Sequence, residues 1–352
     1  MKPRFIVNAR FLTQQITGVQ RYAIEISKEL KKIYGDELCF VTPKNVVLEE
    51  ERNLLDAKIV GSNTGHLWEQ LDLPIYLKKN GNPLLLCLCN SAPIMYKNKI
   101  STIHDVAFLT YPQSFSKSFL LYYKLMTPLI LRTSRKVATV SYFSKKELIK
   151  FYHLQDKNIF VVHNAVSSSF QKTDDRVLKK EKYLLAVSSV THRKNFLTTL
   201  EAFAELGKND VKLYVVGDLD SNSFKGVNIE NYRKNKKIVF LGRVTDEELV
   251  RLYSNAIGFL YLSLYEGFGI PPIEAQTCGC PVLSSNISAL KETLNDSAYY
   301  CDPLDINDIV EKISILISND NSAIIAAGLE NVKRFDWTKS AQTIKKITDN
   351  MI

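Results

Sequence analysis

Short apolar runs alternate with segments of helical periodicity along almost the whole chain. Runs such as 5–9 and 183–187 predict buried strands, and stretches such as 19–34 predict amphipathic helices. Strands that alternate with helices are typical of parallel sheets, because parallel neighbours need a crossover connection that is usually a helix. The pattern therefore predicts an α/β protein of the doubly wound type.

Two such arrays follow one another. In the first, the predicted strands are 5–9, 38–42, 84–88, 101–103, 136–140 and 159–162, with helices at 19–34, 67–79, 117–132 and 145–151. In the second, the predicted strands are 183–187, 211–216, 238–241, 257–260 and 281–283, with helices at 196–206, 246–254, 272–277 and 306–317. A polar, lysine-rich stretch at 171–182 separates them. A chain of 352 residues is therefore expected to form Rossmann-like domains at 1–172 and 173–336, with a helical tail at 337–352.

Net charge differs sharply between the two halves of the chain. The chain has 46 Lys and Arg against 37 Asp and Glu, a formal charge of +9. Residues 1–170 contain 23 basic and 13 acidic residues, a net charge of +10. Residues 171–352 contain 23 basic and 24 acidic residues, a net charge of −1. A basic half indicates nucleic acid or an anionic membrane with a lipid-linked substrate, or serves solubility alone. No nucleic-acid reading motif is visible, so nucleic acid is not expected as a partner.

The chain has the features of a cytoplasmic protein. Arg4 and Arg10 interrupt the apolar start, which favours a first strand over a signal peptide, and no run is long enough to span a bilayer. The six cysteines include two C-x-C pairs without zinc-site spacing or histidine partners, which favours reduced thiols. Peripheral contact with the inner face of the cell membrane is left open. The stretch 115–136 mixes apolar residues with Lys117, Lys124, Arg132, Arg135 and Lys136, which suits either a membrane interface or a core helix with a basic exposed face.

The segment EGFGIPPIE, which begins at Glu266, carries most of the functional information. Pro271 and Pro272 suit a first helical turn, where a missing N–H costs nothing, and the positive end of a helix favours a phosphate. Glu266 is expected at the rim of this anion site, and Glu274 one turn further in is expected to reach sugar hydroxyls. A diphosphate between two such carboxylates describes a nucleotide-sugar. The turn that approaches it consists of Gly267, Phe268, Gly269 and Ile270.

Two further groups of charged residues follow predicted strands. Arg193 and Lys194 come after strand 183–187, just before a helix, where they can neutralise a diphosphate without a metal. Asp218 and Asp220 form a D-x-D sequence, a pattern that can bind a metal ion. We interpret it as a turn with capping carboxylates, so no metal and no cofactor are expected.

These motifs resemble those of the family-4 retaining glycosyltransferases, which have the GT-B fold. The two glutamates separated by seven residues are the specific part, and the basic sequence His192-Arg193-Lys194-Asn195 resembles the family's phosphate-binding motif. The likeness extends from about Gly18 to Asp305. It implies two Rossmann-like domains that face a cleft, with the acceptor bound by 1–172 and the nucleotide-sugar by 173–336. The tail is expected to cross back onto the first domain.

The resemblance also implies roles for individual residues. Glu266, His104, Lys194 and Arg193 are the expected catalytic residues, with His104 facing the donor sugar and Asp105 beside it. Glu274 is expected to hold the ribose. A backbone at Arg243 and Val244 would pair with the nucleobase, and Gly18 would let amides approach the phosphate or acceptor. The residues expected to bind the donor and its nucleotide are Glu274, Gly267, Phe268, Gly269, Ile270, Arg243, Val244, Gly18 and Asp105.

The function that follows is transfer of a hexosyl group, with retention, from a nucleoside diphosphate sugar to a glycan acceptor. GDP-mannose is the first expectation for the donor, with UDP-sugars and dTDP-rhamnose as alternatives. The expected acceptor is a polyprenyl-diphosphate-linked glycan of surface polysaccharide biosynthesis, such as O-antigen or capsule. A nucleotide-sugar epimerase of the same fold and a non-catalytic partner subunit are the competing classes.

Overall fold

Contacts between residues divide the chain into two units. The computed structural model describes residues 3–173, 181–188, 191–207, 210–217 and 230–351. The N-terminal unit contains Met1–Thr110, Ser116–Asn164 and Phe335–Ile352, and the C-terminal unit contains Tyr111–Phe115 and Ala165–Arg334. The division after Asn164 lies before the expected boundary at 172, because residues such as Phe170, 1% exposed, already pack in the C-terminal unit against Tyr253.

The N-terminal unit is built on a seven-stranded parallel sheet. Its strands are β1 (Phe5–Asn8), β2 (Leu38–Thr42), β3 (Lys58–Ile59), β4 (Leu84–Cys87), β5 (Lys99–Thr102), β6 (Lys136–Thr139) and β7 (Ile159–Val161). Their order is β3-β2-β1-β4-β5-β6-β7. Strands β1 and β4 are buried throughout, as expected for a sheet that is covered on both faces.

Seven helices connect these strands. They are α1 (Gly18–Tyr34), α2 (Glu49–Leu55), α3 (Gly65–Leu67), α4 (Leu73–Lys79), α5 (Ala107–Thr110), α6 (Lys117–Thr133) and α7 (Tyr142–Tyr152). A π-helical turn, Trp68–Asp72, joins α3 to α4, so the single helix expected at 67–79 is interrupted. Helix α1 begins with a capping box in which Gln20 accepts a hydrogen bond from the Thr17 backbone N–H over 3.2 Å.

The C-terminal unit has a six-stranded parallel sheet. Its strands are β8 (Tyr183–Val187), β9 (Lys212–Val216), β10 (Ile238–Gly242), β11 (Gly258–Tyr261), β12 (Val282–Ser285) and β13 (Tyr299–Cys301). Their order is β10-β9-β8-β11-β12-β13. Its helices are α8 (Phe196–Glu205), α9 (Glu230–Arg233), α10 (Asp246–Asn255), α11 (Ile270–Thr277), α12 (Ser288–Leu294), α13 (Ile306–Ser318) and α14 (Ser322–Val332).

The last helix, α15 (Trp337–Asp349), packs within the N-terminal unit. Asp336 caps it by accepting from the Lys339 N–H over 2.9 Å. Trp337 packs edge-on against Tyr22 of α1 with ring centroids 6.0 Å apart. The helix therefore packs against α1.

The expected doubly wound α/β architecture is confirmed, and the differences lie in short elements. Strand β3 consists of two exposed residues, and β13 consists of only three residues, of which two are half-buried, so neither forms a recognisable apolar run. Helices α2, α12 and α14 were also absent from the expectation. Among the described residues, no helix combines the length and the apolar character that crossing a bilayer requires.

Candidate functional site

The order of the second sheet reverses between β8 and β11. In open parallel sheets, ligands bind beyond the carboxyl ends of the strands at such a reversal, because the two connecting loops diverge there and leave a crevice. Arg193 and Lys194 follow β8, and Glu266 follows β11. Three of the expected catalytic residues therefore lie at the topological switch point of the C-terminal unit.

One carboxylate holds both basic side chains. Lys194 Nζ donates to Glu266 Oε1 over 2.6 Å, and an Arg193 guanidinium N–H donates to Glu266 Oε2 over 3.3 Å. The Tyr261 hydroxyl, at the end of β11, donates to the same Oε1 over 2.9 Å. Glu266 is 7% exposed. It lies at the buried centre of this cluster, not at the rim of an anion site as the sequence suggested.

The cluster carries one net positive charge. Burial alone would raise the pKa of Glu266, but the charges of Lys194 and Arg193 outweigh burial and hold this pKa at about 2. Burial and the neighbouring Glu266 raise the pKa of Tyr261 well above its usual value, so its hydroxyl keeps its proton and donates. Two cations and one carboxylate therefore remain charged at neutral pH, which favours an anionic ligand beside them.

The loop after β8 is anchored by side chains that bond to backbone carbonyls of other loops. His192–Lys194 forms a 3-10 turn that ends at Asn195, whose φ of 53° is left-handed. Asn195 Nδ2 donates to the Pro303 carbonyl over 2.7 Å, and Arg193 donates to the Tyr265 carbonyl over 2.8 Å. These bonds fix the positions of the two cations before any ligand arrives, which lowers the cost of binding one.

The glycine turn leads directly into α11. Gly269 has a φ of 98°, and a Cβ there would lie 2.5 Å from Leu290 Cδ2, so only glycine fits. The Phe268 carbonyl accepts from the Thr293 hydroxyl over 2.8 Å. Two of the first three helical residues are prolines and offer no N–H. Backbone donors for a phosphate must therefore come from Gly267 to Ile270, before the prolines.

Glu274 lies one turn into α11, and it is more enclosed than the sequence suggested. It is 6% exposed, and its Oε2 accepts from the Tyr253 hydroxyl over 3.5 Å. Burial, and after it the Glu274 charge, raise the pKa of Tyr253 well above its usual value. The Tyr253 hydroxyl is thus a permanent donor that orients the carboxylate.

Arg243 and Val244 lie away from the ion cluster. They follow β10, an edge strand two positions from β8 in the sheet order. Arg243 is exposed and Val244 is half-buried. Gly242 has a φ of 71°, and its carbonyl accepts from the Gly217 N–H over 2.8 Å, which shapes the strand end. Asp218 and Asp220 lie outside the described residues.

Three expected residues belong to the N-terminal unit. His104, 5% exposed, lies just beyond β5, and its Nε2 is 3.0 Å from the Leu88 carbonyl. Burial lowers the pKa of His104, so the imidazole is neutral at pH 7. Asp105 accepts from the Ala107 N–H over 2.9 Å at the start of α5. Gly18 is the exposed first residue of α1.

Two tyrosines were missed by the sequence analysis. Tyr261 links Lys194 to Glu266, with 2.9 Å from its hydroxyl to Lys194 Nζ, and Tyr253 donates to Glu274. Both lie in apolar segments and look like core residues. One feature of the sequence pointed to Tyr261: it ends a strand five positions before Glu266, so its side chain lies at the carboxyl edge of the sheet.

Comparisons with known proteins agree with this geometry. Residues 168–328 match the model of a family described as "Glycosyl transferases group 1". The O-antigen chain mannosyltransferase RfbU of Salmonella typhimurium is 28% identical over 353 residues, which cover 94% of this chain and 97% of RfbU. Residues 168–328, which match the family model, contain the whole ion cluster and the glycine turn.

Solved structures support the fold. Sucrose-phosphate synthase from Thermosynechococcus elongatus superimposes with a TM-score of 0.77 at 18% identity, covering 100% of this chain and 99% of that one. Anabaena HepE, solved in complex with UDP, gives a TM-score of 0.76 at 17% identity, covering 99% of this chain and 100% of that one. The expected fold class, GT-B, is confirmed, and residues 168–328 of this chain are similar to the group 1 glycosyl transferases.

Proposed function

We propose that this protein is a retaining hexosyltransferase that moves a mannosyl group from GDP-mannose to a glycan acceptor in surface polysaccharide biosynthesis. The observation that carries the proposal is the pairing of Lys194 and Arg193 with Glu266 at the switch point of the second sheet. Such a preorganised cationic cluster suits a reaction in which negative charge develops on a leaving diphosphate.

In the proposed reaction, the bond between the sugar's anomeric carbon and the diphosphate oxygen breaks. The acceptor oxygen bonds to the same face of that carbon, and the acceptor's proton passes to the leaving phosphate. Lys194 and Arg193 stabilise the charge that accumulates on the diphosphate. Glu266 holds both cations in place, through contacts of 2.6 and 3.3 Å. His104, neutral because its pKa is lowered, would hydrogen-bond the donor sugar.

The nucleotide is proposed to lie along the same sheet edge. Glu274, oriented by Tyr253, would accept hydrogen bonds from the ribose hydroxyls, and the backbone at Arg243 and Val244 would pair with the base. Because Lys194 and Arg193 already supply positive charge, the proposed reaction needs no metal ion and no cofactor.

The identity of the donor rests on relatives. RfbU is named an O-antigen chain mannosyltransferase, which favours a mannosyl donor. HepE was solved with UDP, which keeps UDP-sugars as an alternative, along with dTDP-rhamnose. The O-antigen in the name of RfbU favours surface polysaccharide as the product, with a polyprenyl-diphosphate-linked glycan as the proposed acceptor.

A membrane-held acceptor fits the exposed face of α6. Leu121, Leu125 and Leu129 recur every four residues and are 64, 60 and 41% exposed. The helix contains no acidic residue, and its exposed cations are Lys117, Lys124 and Arg132. Such a face suits the headgroup region of an anionic bilayer. We therefore propose a cytoplasmic protein that is peripheral at the inner face of the cell membrane.

Two basic residues do not belong to this face, although the sequence grouped them with it. Arg135 donates to the Asn98 amide oxygen over 2.9 Å and to the Met351 carbonyl over 2.8 Å. Lys136 begins β6 and donates to the Asn158 amide oxygen over 3.1 Å. Both follow the end of α6 and bond within the N-terminal unit.

A donor screen tests the proposal. Purified protein is heated with GDP-mannose, with UDP-glucose and with dTDP-rhamnose, since a ligand that binds the native state raises the melting temperature. We expect the largest rise with GDP-mannose. Mass spectrometry and NMR of each donor after incubation without acceptor then separate the alternatives. An epimerised sugar would favour the epimerase, and no binding of any donor would favour the non-catalytic subunit.

A further inference from the structure

The first sheet also reverses its order, between β1 and β4. The two strands end together, because Asn8 is paired in register with Cys87. Arg10 follows β1 by two residues, and Ser91 follows β4 by four. A second ligand crevice is expected where these connections diverge, because ligands of open parallel sheets bind at such reversals, as proposed for the ion cluster of the second sheet. Its polar residues have no part in the proposed donor chemistry.

A buried ion pair occupies this switch point. Glu69, fully buried, accepts from Asn8 Nδ2 over 2.6 Å and from the Ser91 hydroxyl over 3.0 Å, both at Oε1. Arg10 Nε lies 3.4 Å from the same oxygen, and an Arg10 guanidinium N–H donates to the Ser91 hydroxyl over 2.8 Å. Arg10 is 7% exposed. The network ties the ends of β1 and β4 to Glu69.

Glu69 comes from the π-helical turn Trp68–Asp72. Single π-helical turns inside helices are frequent at functional sites, because the extra residue redirects a side chain. Here the turn brings a carboxylate to the end of a parallel sheet. A buried ion pair contributes little net stability, since desolvation offsets its Coulomb attraction. Stability alone therefore does not account for this arrangement.

Both charges of the pair persist. Burial opposes ionisation of Glu69, but the Arg10 charge, the neighbouring His66 and the Asn8 hydrogen bond outweigh burial, so the pKa of Glu69 is lowered. The pKa of Arg10 is raised by Glu69 in spite of burial. The two opposite charges balance each other. This site therefore suits a neutral ligand with hydroxyl groups, in contrast to the ion cluster of the C-terminal unit, which carries a net positive charge.

Aromatic rings connect the ion pair to the surface. His66 Nδ1 lies 3.5 Å from Glu69 Oε2 and 2.6 Å from the Tyr122 hydroxyl, and the His66 side chain is 40% exposed. Within the described residues, Glu69 Oε2 accepts no hydrogen bond of good geometry. The His66 and Tyr122 rings lie 4.1 Å apart, Tyr122 meets Tyr123 at 5.2 Å, and Tyr123 meets Phe119 at 4.3 Å.

We propose that His66 and Tyr122 bind a neutral sugar ring of the acceptor glycan, and that the Arg10–Glu69 pair positions them. Aromatic faces pack against the apolar face of a sugar, and the imidazole and phenol exchange hydrogen bonds with its hydroxyls. Glu69 acts through His66, because a carboxylate beside one ring nitrogen fixes the orientation of the imidazole. The subsite assignment rests on the proposed transferase function.

The test measures glycan binding without any donor, so it does not depend on turnover. The probes are p-nitrophenyl glycosides of mannose, glucose, galactose and N-acetylglucosamine, titrated into the full chain with detection by saturation-transfer NMR. We expect at least one to bind. Tyr122→Phe, which removes one hydroxyl, should weaken that glycoside about tenfold, the effect of losing one good hydrogen bond. Tyr142→Phe on the exposed face of α7 is the matched control and should leave binding unchanged.

Glu69→Gln tests positioning separately from folding. It keeps the size of the side chain but removes the charge beside His66, so glycoside affinity should fall while the affinity for a nucleoside diphosphate stays at the wild-type value. A glutamine variant with wild-type glycoside affinity, or a Tyr122→Phe effect no larger than that of Tyr142→Phe, would overturn the assignment. So would a wild-type protein that binds none of the four glycosides. Failure of all donors in the thermal screen would instead count against the transferase itself.

Discussion

Lys194→Ala separates the proposed catalytic role of the ion cluster from its structural role. Lys194 Nζ lies 2.6 Å from Glu266 Oε1, and the two side chains are 14 and 9% exposed. Truncation removes the cation that the proposal assigns to the leaving diphosphate. It also leaves a buried carboxylate with Arg193, at 3.3 Å, as its remaining charged partner in the cluster. Activity and stability should therefore both change, for different reasons.

The two effects have different expected sizes. Loss of a preorganised charge that faces developing charge costs about two orders of magnitude in turnover, or roughly 3 kcal/mol. Removing one partner of a fully buried ion pair costs about 3–5 kcal/mol. Because Arg193 still pairs with Glu266, we expect about 2 kcal/mol here, which corresponds to roughly 4–8 °C in the melting temperature of a domain of this size.

The double variant Lys194→Ala, Glu266→Gln distinguishes the two roles. Neutralising the carboxylate relieves the unpaired charge, so most of the lost stability should return, measured by thermal unfolding. Turnover under saturating donor, measured as release of nucleoside diphosphate, should stay at least a hundredfold low. Lys182→Ala is the matched control, because Lys182 pairs with Asp210 at 3.3 Å on the surface of the same unit. It should change neither quantity. Recovery of turnover in the double variant would refute a catalytic role for Lys194.

Four further predictions concern nucleotide binding, metal dependence, the effect of pH on stability, and membrane binding. Glu274→Ala should weaken nucleoside diphosphate binding in a calorimetric titration, and unchanged affinity would refute the ribose assignment. Turnover should persist in excess EDTA, whereas complete loss restored by magnesium or manganese would contradict the metal-free reaction. The pKa of Glu266 is lowered from 4.5 to about 2, so its contribution to stability is complete above the unfolded value and is lost as pH falls towards 2. The stability difference between wild type and Glu266→Gln, from unfolding titrations, should therefore be constant above about pH 5 and shrink below it, and the opposite slope would contradict the pairing. Flotation should show binding to anionic vesicles that weakens with salt and falls when Lys117, Lys124 and Arg132 are replaced by Gln, and equal binding to neutral vesicles would refute the membrane face.

The fold was predictable because its periodicity is strong. Strands such as β1 and β4 are buried along their whole length, and buried parallel strands leave continuous apolar runs that a sequence shows directly. Strand β3 could not be found this way, because both its residues are exposed. The π-helical turn at Trp68–Asp72 was also hidden, since one extra residue in a helix hardly changes an apolar pattern.

The site was predictable only in part. The sequence placed basic residues after one strand and Glu266 after another, and parallel topology brought them to one sheet edge. It could not show that Glu266 is buried between Lys194 and Arg193, because that depends on the side-chain geometry of two loops. Tyr261 was invisible for a related reason, since a tyrosine that ends an apolar strand has the pattern of a core residue.

A transfer experiment followed by NMR shows whether this protein is a retaining mannosyltransferase. The protein is incubated with GDP-mannose and with a polyprenyl-diphosphate-linked glycan acceptor, and the anomeric signals of donor and product are recorded over time. We predict that GDP accumulates in step with a new mannosyl linkage of the same anomeric configuration as the donor, and that Lys194→Ala slows both at least a hundredfold. Formation of a linkage with the opposite configuration, or transfer at the wild-type rate by Lys194→Ala, would contradict this prediction.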